Sequence, residues 1–267
     1  MGMGSEKVTS HVLCRASNSM IQLPVEPKIV SKEENKAVFE IAPLYPGYGV
    51  TVGNSLRRVL LSSLEGAAIT FVKIKGVDHE FSTIPGVLED VVDIILNLKK
   101  VRFKLYQEEP IMVTLAVKGQ KEVTAADIKT SAEVEVVNPE QKIATITDKK
   151  GEIEVEITIE KGVGYMPVEQ RQKEKLTIGK IAVDAIFSPI KGVNFTVENI
   201  RVGQRTDYNK ILLEIETDGS IQPEQVLKDA SQILIEHFSL INKVEVPEAE
   251  AKTKVKKASK KSKTKSE

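Results

Sequence analysis

Residues Glu152-Ile-Glu-Val-Glu-Ile-Thr-Ile-Glu160 alternate strictly between apolar and polar. A strand sends successive side chains to opposite faces, so Ile153, Val155, Ile157 and Ile159 share one face. Such a segment fits only a half-buried strand, in a sheet with one dry face. Val101–Leu105 and Ile111–Val117 alternate as well, and weaker runs predict strands at Val38–Ile41, Ile69–Lys75, Glu133–Val137, Ile143–Thr147, Ile181–Phe187, Val193–Val202 and Lys210–Thr217.

Helical spacing breaks this pattern in three places. One helix is predicted over about Val52–Leu64, after Gly47-Tyr-Gly49, with Val52, Leu56, Val59 and Leu60 on one side and Gly66 as a stop. A second spans about Val87–Lys99, with acids early and lysines late, as the helix dipole favours. A third spans about Pro223–Ile241, with Pro223 in its first turn and an apolar stripe of Val226, Ala230, Ile233, Leu234, His237, Phe238 and Ile241. Many strands with three separate helices predict an α+β fold rather than alternating βαβ units.

The remaining composition narrows the function. The chain has 267 residues, 38 Lys+Arg against 38 Asp+Glu, and 41% hydrophobic residues, a globular composition. No run reaches the roughly 18 apolar residues of a membrane helix, so no membrane role is expected. Cys14 is the single cysteine, and His11, His79 and His237 are far apart, which argues against disulfides and a metal centre. No signal-peptide pattern opens the chain, so a cytoplasmic protein is expected.

Charge is unevenly placed. Residues 247–267 carry eight Lys and three Glu, leaving the rest of the chain net acidic. This tail has too little apolar surface to offset its chain entropy, so 243–267 is expected to be disordered and 1–20 to be a flexible extension. Lysines without aromatics neutralise phosphates but do not read bases, so the tail offers non-specific contact to DNA.

Several motifs invite chemistry and fall short of it. Gly47-x-Gly49-x-x-x-Gly53 has the wrong spacing for a dinucleotide loop, and Asn54-Ser55 replaces the Lys-Ser/Thr of a phosphate loop. A loop needing positive φ and close packing explains it better. Glu89, Asp90 and Asp93 resemble a metal-binding cluster but suit a solvated helix start. No Gly-x-Ser-x-Gly elbow surrounds a serine. Arg57 and Arg58 are adjacent on the first helix and cannot point in one direction; one of them is a candidate anchor for a partner. His237 is expected to be packed or hydrogen-bonded rather than a ligand. No catalytic constellation emerges.

Gly47-Tyr-Gly-Val-Thr-Val-Gly-Asn-Ser-Leu-Arg-Arg-Val-Leu-Leu-Ser-Ser63 closely resembles the N-terminal assembly portion of the bacterial RNA polymerase α subunit family. Further matches follow in order: Gly76–Ser82, Glu89–Lys99, Val123–Ile128, Gly162–Pro167, Val183–Pro189 and Arg201–Asp207. Each is weak alone; in this order they are specific, and they span roughly residues 21–242.

The resemblance implies a dimerisation domain made of both chain ends, here 21–65 and 189–242, with a β-rich domain, 66–188, inserted between them. It implies a homodimer that receives the catalytic β and β′ subunits of a nucleotidyltransferase, with no catalytic residue, cofactor or metal in this chain. Arg58 and Leu61 fall at the family's β contact, with Arg57 in support and His79, Glu80, Phe81 and Ser82 as a second β-facing segment. Lys99, Val183 and Asp184 fall at its β′ contact. The dimer interface is expected from Val52, Leu56, Val59, Leu60, Ile233, Leu234, His237, Phe238 and Ile241. No apolar helical pattern follows Ile241, so the family's C-terminal DNA-binding domain is not expected within these residues. The alternatives are a plastid-type α subunit with the same role and a small-molecule enzyme using the inserted region.

Overall fold

The computed structural model describes residues 21, 23–171 and 179–244. The expectations for residues 1–20 and 245–267 lie outside them. The fold is α+β. The chain runs through β1 (Lys28–Lys32), β2 (Lys36–Leu44), α1 (Tyr48–Ser62), β3 (Glu65–Ile74), α2 (Val91–Leu98), β4 (Phe103–Leu105), β5 (Ile111–Lys118) and β6 (Lys121–Thr124). It continues through a 3-10 turn at Ala125–Asp127, then β7 (Ile128–Lys129), β8 (Val134–Val136), β9 (Lys142–Ile146), β10 (Glu152–Val163), β11 (Tyr165–Met166) and the short α3 (Val168–Arg171). It closes with β12 (Lys180–Ala182), β13 (Ala185–Ile186), β14 (Ile190–Val202), β15 (Arg205–Thr217) and α4 (Pro223–Ile241).

The strands form two principal sheets. One is four-stranded and antiparallel, in the order β1-β2-β15-β14. Its inner face meets α1 and α4 in a core that includes Phe39, Ile41, Leu56, Leu60, Ile211, Leu213 and Val226. The other sheet is built around β5, β10 and β3, with α2 among the elements filling its core. The alternating segment behaves as its period demands: Ile153, Val155, Ile157 and Ile159 are buried. On the outer face the acids of β10 pair with lysines across the sheet, as in Lys75–Glu154 at 2.7 Å and Lys118–Glu152 at 2.8 Å.

α1 starts one turn earlier than its apolar spacing suggested, because Gly47 takes φ +86° at its N-cap and turns the chain into the helix. The other two glycines of the motif serve close packing. A Cβ on Gly49 would stand 2.6 Å from Val197, and one on Gly53 2.6 Å from Phe195. Both neighbours lie on β14, so α1 rests almost backbone-to-sheet. No side chain of α1 caps its first turn. Instead the buried Asn209 of β15 accepts bonds from Gly47 N at 2.9 Å and Gly49 N at 3.3 Å, while its amide nitrogen donates to Asn199.

Asn209→Ala removes the acceptor for both amides in a buried setting. We expect a loss of about 1–3 kcal/mol in chemical denaturation, where leaving a buried donor unpaired carries that cost. A loss well under 1 kcal/mol would show that water replaces Asn209.

Candidate assembly surfaces

The close seat of α1 sorts its residues. Leu56 and Leu60 are buried in their own chain, and Val52 and Val59 pack partly against the same core. Leu56 and Leu60 are therefore unavailable to a second copy, a correction to the expected dimer interface. The stripe faces its own sheet because Gly49 and Gly53 admit the helix there. Arg57, Arg58 and Leu61 are exposed on the opposite side. Leu61 is three residues from Arg58 and four from Arg57, so the two guanidinium stems flank it.

α4 is divided along its length. Pro223, Val226, Leu227 and Ala230 are buried, and Ile233 and Leu234 are partly buried against the core. Beyond them Ile235, Phe238, Leu240 and Ile241 lie bare, with Phe238 60% exposed. His237 is also exposed, its Nδ1 2.8 Å from Ile233 O one turn back. The distal half of α4 thus carries an apolar face that the described residues do not cover.

The segment His79–Ser82 is an exposed loop held at both ends. His79 Nδ1 lies 3.1 Å from Ser82 Oγ, and Ser82 O accepts from Val91 N at the start of α2. Phe81 projects from it 79% exposed, with Glu80 exposed beside it.

Lys99 and Asp184 do meet: Lys99 Nζ is 3.4 Å from Asp184 Oδ2. The other carboxylate oxygen accepts from Val168 N at 3.0 Å. The bond from Val168, and then the Lys99 charge, hold the Asp184 carboxyl below the usual carboxylate range against the effect of burial. Val183 differs from its neighbours. Its side chain is 3% exposed, and its N–H donates to Thr70 O. It belongs to the core and has no surface to offer a partner.

The acidic trio of α2 does not converge. Asp90 caps the helix by accepting from Asp93 N at 2.8 Å. Glu89 turns away, accepting from Thr145 N at 2.6 Å and Thr145 Oγ1 at 3.0 Å, with Lys142 Nζ at 3.2 Å. Among the described residues no group of three or more His, Cys, Asp or Glu side chains could hold a metal ion. No helix among the described residues is long and apolar enough to cross a membrane.

Similarity to known proteins accords with this geometry. Residues 72–188 match the family model of the RNA polymerase Rpb3/RpoA insert domain. Over 217 residues the chain is 54% identical to the DNA-directed RNA polymerase subunit alpha of Moorella thermoacetica, covering 80% of this chain and 69% of that protein. The chain belongs to the family of DNA-directed RNA polymerase α subunits. The α subunit of Symbiobacterium thermophilum is 50% identical over 81% of this chain and 68% of its own length. That of Flavobacterium psychrophilum is 50% identical over 83% and 68%. As an α subunit, the chain is part of a multisubunit nucleotidyltransferase.

The network around Glu89 makes a pH prediction. Burial pushes this carboxyl up, but the bonds from Thr145 and Lys142 outweigh it and hold it below its usual range. A lowered native pKa contributes stability that is complete above the unfolded value, about 4.3, and fades as pH falls through the native one. Glu89→Gln should therefore cost about 1–3 kcal/mol at neutral pH, and the gap to the parent should close below about pH 4. Urea unfolding at pH 7 and in the acid range measures both; a gap that does not vary with pH would contradict the role given to the charge.

Proposed function

We propose that this chain is the non-catalytic assembly platform of RNA polymerase: two copies pair through the bare distal half of α4, and the pair receives β and then β′. In this reading the four-stranded sheet with α1 and α4 is the dimerisation domain, 21–65 and 189–242, and 66–188 is the inserted domain. The observation that carries it is the division of α4 into a half buried in its own chain and a half with Phe238 and Ile241 in solvent. Exposed apolar surface of this kind marks a protein contact. A two-fold pairing sets the same patch against itself, so each apolar side chain is covered once in each copy.

The partner contacts are assigned by surface. β is read onto the outward side of α1, through Arg58 and Leu61 with Arg57 beside them, and onto the loop His79–Ser82. β′ is read onto the Lys99–Asp184 pair. An arginine there is matched to its task, since its planar fork bonds several acceptors at once and lysine does not replace it.

Two variants separate pairing from recruitment. Phe238→Asp leaves the intrachain core untouched, because the ring already lies in solvent, but it removes roughly 1.5–3 kcal/mol of burial from each copy and introduces opposed charges. Light scattering at micromolar concentration should then report monomer where the parent is a dimer. A dimeric variant would move the interface elsewhere.

Arg58→Ala should keep the dimer and weaken capture of β about thirtyfold, the equivalent of about 2 kcal/mol at a central anchor. Size-exclusion of the variant alone and then with β reads both. Unchanged affinity would remove Arg58 from the contact and leave Arg57 as the candidate.

A further inference from the structure

The four-stranded sheet with α1 and α4, and the larger sheet with α2, are separate bodies in hydrogen bonding and in packing. Among the described residues no ladder joins them, and their principal cores do not merge. The chain leaves the first body after Leu64, which sits in its core, and enters β3 at Glu65. It returns over residues 187–190. The two crossings lie side by side: a Cβ on Gly66 would stand 1.8 Å from Phe187 O and 3.5 Å from Pro189 Cδ. Two adjacent straps make one axis about which a body can turn. Beside that axis lies a cavity of about 460 Å³, lined by Val226 and Ile233 of α4 and by Phe103 and Leu105 of β4. Packing there is incomplete and offers the turn little resistance.

An ion pair reaches across. Arg102 Nε lies 3.7 Å from Asp218 Oδ2, with the Arg102 side chain 24% exposed and that of Asp218 7% exposed. Arg102 stands just before β4, and Asp218 opens the turn between β15 and α4. Each is braced within its own body. The Asn138 side chain accepts from Arg102 N at 2.7 Å and donates to Lys100 O at 3.0 Å, while Val137 N donates to Arg102 O at 2.9 Å. On the other side Asp218 N donates to Pro189 O at 2.9 Å, and Asp218 Oδ1 accepts from Ser220 N and Ser220 Oγ. One carboxylate oxygen shapes the turn and the other faces the arginine. Gly219 lets the turn approach the larger-sheet body: it takes φ +96°, and a Cβ there would meet Val137 at 3.1 Å. A carboxylate this enclosed is costly to leave without its counter-charge, so the pair favours the closed arrangement.

We infer that Arg102 and Asp218 form a latch. They lock the larger-sheet body against the four-stranded one, and without them it turns about the crossings at Gly66 and Phe187. The consequence for function rests on the assembly reading proposed above. Arg58 and Leu61 of α1 belong to one body, and Lys99 and Asp184 to the other. The latch therefore sets the spacing between these two surfaces, and Arg102 and Asp218 are positioning residues that touch neither. The latch itself does not depend on what either surface binds.

Distances within one full-length chain test the latch with no other subunit present. In a Cys14→Ser background, Lys129→Cys on the larger sheet and Lys191→Cys on β14 place spin labels at two exposed positions. Dilution with excess unlabelled chain leaves pulsed electron resonance reading distances within single chains. The parent should give one narrow distance. Arg102→Ala and Asp218→Asn should each lose it and give a broad distribution, and the double variant should be no broader than either one. Asp218→Asn keeps an acceptor for Ser220, so the turn survives the change. Arg102→Lys keeps the charge within reach of Asp218 and should restore most of the narrow population. Thermal melting of each variant separates turning from unfolding. A broad distribution in the parent, or a narrow one in both Arg102→Ala and Asp218→Asn, would overturn the latch. So would variants that melt early while the distance stays narrow, since the pair would then stabilise its own turn and nothing more. Failure of the assembly reading would appear as lost or misplaced capture of the large subunits and would leave these distances unchanged.

Discussion

The seat of α1 on β14 governs what this molecule can present to others. Two glycines one helical turn apart remove the side chains that would hold the helix off the sheet, and Asn209 takes the amides that the helix start leaves unpaired. With the axis drawn in, Leu56 and Leu60 reach the sheet core and α1 has only one other side to expose. Arg57, Arg58 and Leu61 stand on it. A bulkier residue at either glycine would meet Val197 or Phe195 and lift the helix, moving the arginines and opening the leucine core together.

α4 depends on the same seat. It packs on α1, β2 and β15, and its burial ends where those supports end, after Leu234. A nineteen-residue helix outruns the core beneath it. The helix is continuous from the buried half to the exposed one, so the core sets the direction of the overhang and of its apolar face. The second sheet is anchored differently. Its helix α2 is tied to β9 through Glu89 and Thr145, so an acid that resembles a metal ligand beside Asp90 and Asp93 is consumed in holding a helix against a strand.

Much of this was legible in the sequence, and the misses have physical causes. The period of two located β10, whose apolar residues face a core and whose acids face lysines. α4 was found with its bounds, because Pro223 fixes its start and the stripe continues to Ile241. What periodicity does not reveal is what an apolar stripe faces. Val52, Leu56, Val59 and Leu60 read equally well as subunit interface or as core, and the glycines that decide it share their face but add no apolar side chain to the pattern. β1 was missed because all five of its residues are exposed and no alternation marks it.

The segment Ile181–Phe187 shows the limit most clearly. Ile181, Val183, Ala185 and Phe187 are all buried, so the alternation of one strand is present throughout. Yet β12 pairs with β3, β13 pairs with β11, and the change of partner falls at Val183–Asp184. Inward side chains keep their period as long as some core lies beneath them, whichever sheet supplies it. Hydrogen-bond partners carry no such signature in the sequence. Where the ladder changes hands, the outward residue is free of cross-strand neighbours and can collect other donors. Asp184 is that residue, and its bonds to Val168 and Lys99 follow from its place at the switch. The same break that makes the strand unreadable therefore builds a polar node, tying the chain between β12 and β13 to α3 and to the end of α2.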